Sequence, residues 1–73
     1  MTEYVAFIYV HSNEKTAKCY FSGIGFNTFN LNDAEIYSNK ESLEFCLIVA
    51  YRRRFVSAVD MKSYKIEELE TAR

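Results

Sequence analysis

The side chains able to do chemistry are few and scattered. His11 is the single histidine, and Cys19 and Cys46 are the two cysteines, of a 73-residue chain. A Cys–His pair would give a nucleophile and its base, and the same residue types are common zinc ligands. Neither cysteine lies near His11 in sequence and no paired-ligand spacing is present, so neither chemistry has a local signature. His11 reads as a turn residue, and the cysteines as buried free thiols of a reducing compartment. The carboxylate pairs Glu41 with Glu44 and Glu67 with Glu68 read as helix-start and solvent residues. General acid–base work needs a concave, partly dry site, which a domain this small rarely forms. Gly23-x-Gly25 lacks the third glycine, the Gly-Lys-Ser/Thr ending and the following helix of a phosphate loop. The expectation is a non-enzymatic protein with no catalytic residue, metal or cofactor.

What remains is charge and apolar surface. Arg52, Arg53 and Arg54 are the one cationic run. They read equally as a helix end, where cations oppose the dipole, and as a small anion site for nucleic acid or an acidic protein surface. The helix that carries them is expected over Ser38–Phe55. Ser38 and Glu41 have capping-box spacing, which puts Ser38 at the N-cap and Asn39 at the first helical position. Leu43, Cys46, Leu47 and Ala50 follow at spacings of three and four and form a core stripe, with Val49 at its edge. Ile48, Tyr51 and Phe55 share a second stripe with Glu44, roughly opposite the first. A helix apolar on two sides is either sandwiched or presents a surface to a partner.

The elements around that helix follow from pattern. Tyr4–Val10 is aromatic and β-branched throughout, as in a covered strand. After the polar turn 11–15, Thr16–Phe21 alternates, with Ala17, Cys19 and Phe21 on one face and Thr16, Lys18 and Tyr20 on the other, so the two strands form a hairpin. Gly23 and Gly25 mark a bulge or bend, Leu31-Asn32-Asp33 a turn, and Ala34–Tyr37 a short strand or extended entry to the helix. The first half of Val56–Ile66 reads as a strand, and residues 67–73 as a docked turn or frayed tail. The order β-β-β-α-β implies one α+β domain over residues 1–73, an antiparallel sheet of three to four strands with one helix on one face.

At this length only about 60% of the unfolded surface is buried. Six tyrosines and six phenylalanines therefore exceed what one helix can cover. The uncovered sheet face is expected to carry Tyr4, Tyr9, Tyr20 and Tyr64. The expected partner-binding residues are Tyr4, Tyr9 and Tyr20 from the sheet and Ile48, Tyr51, Arg52 and Phe55 from the helix. A second copy of the chain is one such partner, giving a homodimer. The net charge of −1 excludes a generally basic nucleic-acid coat and an acidic mimic of DNA. Nucleic-acid binding or regulation through Arg52–Arg54 is the alternative function. No basic leader precedes the Val5–Val10 run and no stretch reaches membrane-spanning length, so the expected location is the cytoplasm.

Two stretches carry family likenesses. Gly23, Gly25, Phe26 and Phe29 partly match the signature strand of an RNA-recognition motif, which this segment leaves at Ser22, Ile24 and Asn27. Ala34-Glu35-Ile36-Tyr37-Ser38-Asn39-Lys40-Glu41-Ser42-Leu43 resembles the A-x-x-Y/F-x-x-K-E-x-A/L strand-to-helix junction of small accessory proteins encoded by bacteriophages and mobile elements. The ending around Val59-Asp60 and Glu67-Glu68-Leu69 is similar to theirs too. That resemblance implies a cytoplasmic inhibitor or modulator that binds and blocks a host protein, such as a defence-system component, and transfers no catalytic residue.

Overall fold

The first strand, β1 (Thr2–Ser12), is an inner strand of the sheet, paired along both edges. The computed structural model describes residues 2–70. After β1 come β2 (Lys15–Phe21), β3 (Phe26–Thr28), a 3-10 turn (Leu31–Asp33), α1 (Lys40–Arg52), α2 (Ala58–Ser63) and β4 (Lys65–Glu70). The strands form one sheet in the order β3-β2-β1-β4, with every pairing antiparallel. Both helices lie on one face, so the domain is α+β.

Alternation along β1 sends Tyr4 and Ala6 toward the helices and Val5, Phe7 and Tyr9 to the far face. Ala6 joins Phe21, Leu43, Leu47, Ala50 and Val56 in the buried cluster between sheet and helices. Val5 and Phe7 are also buried, at 0% and 5% exposure. Burial on both faces is why the strand reads as an unbroken apolar run.

The far face has no helix, and its own side chains cover it. The rings of Tyr9 and Tyr20 stand edge-on to Phe7, with centroids 5.3 and 6.1 Å away. Lys18 Nζ lies 4.7 Å above the same ring and donates to Glu67 Oε1 at 2.9 Å. That hydrogen bond raises the Lys18 ammonium above its ordinary pKa. The expectation of an open tyrosine face is therefore corrected. Tyr4 and Tyr64 pack against the helix-side core, and of the four tyrosines only Tyr9 and Tyr20 remain beyond the sheet.

Several assignments are settled differently from, or more narrowly than, the sequence reading. Asn39, not Ser38, caps α1: its Oδ1 accepts the Ser42 N–H at 2.8 Å. Both residue types cap well, and the one whose acceptor reaches the third amide sets the start. Where a strand was expected after Val56, the chain forms α2 instead, because Ser57 Oγ accepts the Asp60 N–H at 3.1 Å and starts a helix there. Residues 67–70 are neither turn nor tail. They belong to β4, which pairs with β1 from Thr2↔Glu70 to Phe7↔Lys65; residues 71–73 of the expected tail lie outside the described residues. Of the two readings of Ala34–Tyr37, the extended entry to the helix is the one found, with a single bridge in which Tyr37 exchanges backbone hydrogen bonds with Tyr4 at 2.8 and 2.9 Å.

The β1–β2 hairpin closes at Ser12↔Lys15 with Asn13 and Glu14 between, at φ 48° and 67°. Both values are left-handed, as a type I′ turn requires, and glycine is the favoured second residue. Glu14→Gly is expected to stabilise the fold by about 0.5–1 kcal/mol. The relief of roughly 1–2 kcal/mol in the folded state exceeds the extra freedom of about 0.4–1 kcal/mol given to the unfolded chain. A urea midpoint unchanged or lowered in Glu14→Gly would contradict this reading of the turn.

Candidate functional site

The apolar exterior lies on the helix side, around the end of α1. Leu43, Leu47 and Ala50 turn inward and are buried. Phe45, Val49 and Arg53 follow one another at four-residue spacing along one flank of the helix, as neighbours on its surface. The helix stops at Arg52 rather than running on to Phe55. Arg54 takes φ +66°. Its N–H bonds to the Tyr51 carbonyl at 3.0 Å, and the Phe55 N–H bonds to the Ala50 carbonyl at 2.9 Å. This is a Schellman closure with arginine at the left-handed position where glycine fits best.

The reversal turns Phe55 out of the helix and against the bend between β2 and β3. A Cβ on Gly25 would stand 2.7 Å from the Phe55 carbonyl oxygen, so only glycine lets the two segments meet. Ser22 N–H to Gly25 carbonyl, at 3.0 Å, closes the bend itself. The result is a groove of about 230 Å³ between Gly23 and Ile24 of the bend, Phe45, Cys46, Val49, Ala50 and Arg53 of the helix end, and Phe55. Its rim is apolar and uncovered: Phe45 is 66% exposed, Ile24 58% and Phe55 55%. A second, more open cleft of about 420 Å³ is lined by Tyr51, Arg52, Arg54, Val56, Ser57 and Ala58.

The expected partner-binding residues thus fall into separate places. Tyr9 and Tyr20 flank Phe7 on the far sheet face, and Tyr4 packs on the helix side. Tyr51 and Arg52 line the open cleft, and Phe55 lines the apolar groove. Ile48 is exposed on α1 and lines neither. The predicted stripe of Ile48, Tyr51 and Phe55 is broken because Phe55 is not helical. The arginine run is divided as well, with Arg52 and Arg54 in the cleft and Arg53 in the groove. Phe45, Val49 and Ile24 were not among the expected residues. The signal for the first two was their spacing with Arg53. Ile24 stood out only as a departure from the RNA-binding pattern.

The remaining chemistry-bearing residues have local structural roles. His11 Nδ1 lies 3.0 Å from Thr16 Oγ1 across the hairpin. Cys19 and Cys46 are free thiols, the first buried and the second half-buried. Burial pushes the Cys19 thiol up. Burial, with Cys46 beside it, pushes the Tyr37 phenol far above its ordinary range and keeps it neutral. Among the described residues, no three of His, Cys, Asp and Glu come together as a metal site. Phe26 packs on Phe21, ring centroids 5.5 Å apart, against the core. That packing leaves Phe26 half-buried, so less of the ring is open for the base stacking that the RNA-recognition likeness implies. Among the described residues no helix is long and apolar enough to cross a membrane. Comparison of the chain with family models, with curated proteins and with solved structures finds no match.

Proposed function

We propose that this chain is a non-enzymatic protein-binding module whose contact surface is the groove between Ile24, Phe45 and Phe55. One observation carries the reading: three large apolar side chains, each more than half exposed, stand around a single depression. Singly exposed apolar residues are ordinary, but a contiguous group of them is the mark of an interaction site. The groove, at about 230 Å³, falls below the roughly 300–1,000 Å³ of small-molecule pockets. Its size suits an inserted side chain better than a free metabolite.

The resemblance of Ala34–Leu43 to phage-encoded accessory proteins implies a host protein as the partner, such as a component of a defence system, blocked in the cytoplasm. A second copy of the chain is the other protein candidate. A second reading, nucleic-acid binding or regulation, draws on Arg52 and Arg54, which share one cleft with Tyr51.

Affinity capture from the native cell identifies the partner, and variants then locate the contact. Phe45→Ala is expected to weaken binding about 30-fold or more, the loss of a hot-spot residue worth about 2 kcal/mol. Tyr9→Ala, on the far sheet face, is expected to leave binding unchanged. A folded Phe45→Ala/Phe55→Ala protein that holds the same partner as tightly as wild type would rule the groove out. Sedimentation of the free chain over a range of concentrations separates the host-protein arm from the homodimer.

A further inference from the structure

We infer that the partner segment seated in this groove is acidic: one large apolar side chain flanked by carboxylates that meet Arg53. The inference rests on the protein-binding reading and adds the chemistry of what binds.

Charge on the page selects the occupant. Of the residues lining the groove, Arg53 alone is charged, and the rest present hydrocarbon, ring or thiol surface. Arg52 and Arg54 flank it in sequence and line the neighbouring cleft. Among the described residues, no carboxylate stands within salt-bridge distance of Arg52, Arg53 or Arg54. Glu35 approaches Gly23, its Oε2 3.6 Å from where a Cβ on that glycine would stand, but it does not line the groove.

An apolar anchor entering here displaces water from around the Arg53 guanidinium. That desolvation is offset only if the partner supplies an acceptor, best a carboxylate matched to the planar fork. A neutral partner would leave the guanidinium underbonded, and a basic one would be repelled by three adjacent cations. The groove therefore selects for acid beside its anchor as well as for the anchor.

The test uses the full chain, ¹⁵N-labelled, and four short synthetic peptides at low salt. The first carries a phenylalanine flanked by glutamates, the second glutamines in their place, and the third lysines. The fourth keeps the glutamates and replaces the phenylalanine with alanine. The glutamate–phenylalanine peptide is expected to shift the amides of Ile24, Val49, Arg53 and Phe55, and to bind about tenfold more tightly than the glutamine form, the worth of a charged hydrogen bond. The lysine form should not bind, and Arg53→Glu should reverse that order.

Equal binding of the glutamate, glutamine and lysine forms overturns the charge inference and leaves the protein-binding reading standing. Equal binding of the alanine form shows a simple anion site and overturns both. If no peptide shifts the groove, the acidic-segment inference falls. Unlabelled chain shifting the groove residues then makes the occupant a second copy and keeps the protein-binding reading, whereas single-stranded DNA shifting Arg52 and Arg54 with the groove unmoved overturns that reading as well.

Discussion

Phe21→Ala is expected to cost about 3–5 kcal/mol and leave much of the protein unfolded at room temperature. Phe21 has no exposed surface and is among the largest fully buried side chains in the molecule. It sits on the helix side of β2, beside Ala6 of β1 and under Leu43, Leu47 and Ala50 of α1. The cluster around it, Ala6, Leu43, Leu47, Ala50 and Val56, is itself buried, which limits collapse into the vacated space. A chain of this length has a total stability of roughly 4–11 kcal/mol at about 0.05–0.15 kcal/mol per residue. One ring thus accounts for a large share of it. Urea titration followed by circular dichroism measures the effect. Tyr20→Ala, one residue earlier but on the far face and only half-buried, should cost distinctly less. If the two variants lose equal stability, the assignment of faces along β2 is wrong.

The second large effect is expected at Gly25. Its position demands absence of bulk, because the atom that a side chain would meet is the Phe55 carbonyl oxygen at 2.7 Å. A backbone atom cannot rotate aside as the tip of a side chain can. Gly25→Ala must therefore either push the β2–β3 bend outward or loosen the closure at the end of α1. Overpacking of this kind costs about 1–3 kcal/mol. Both routes also reshape the apolar groove, since Ile24 and Phe55 stand on its two sides. The expected result is a lower urea midpoint together with shifted amide resonances for Ile24, Arg54 and Phe55. A variant with wild-type stability and an unshifted Phe55 amide would show that the two segments do not touch.

β1, β2 and the main helix were legible because each obeys one local rule. Ala17, Cys19 and Phe21 alternate with polar partners, and Leu43, Leu47 and Ala50 recur at helical spacing with nothing to contradict them. What was missed depended on partners distant in sequence. Lys65-Ile66-Glu67-Glu68-Leu69-Glu70 is rich in helix formers, and pairing with β1 overrides that propensity. α2 opens on Ser57-x-x-Asp60, a helix start that goes unnoticed when Val56, Ala58, Val59 and Met61 are read as a strand. The candidate groove was the least legible part. It exists only because Arg54 adopts a left-handed backbone and turns Phe55 toward Ile24. Glycine normally announces such a reversal, and an arginine gives no sign of it.

The pairing of Thr2 with Glu70 has a bearing on how the molecule is born. β2 follows β1 after a two-residue turn and can pair with it early, whereas the opposite margin of β1 stays bare until β4, far along the sequence, arrives. Until then the hairpin is half-finished, with Val5 lacking the flank that Glu67 supplies. Lys18 meets Glu67 across 49 positions only once β4 has docked. The interval before that docking is when this domain is most open to capture by chaperones or by other copies of itself.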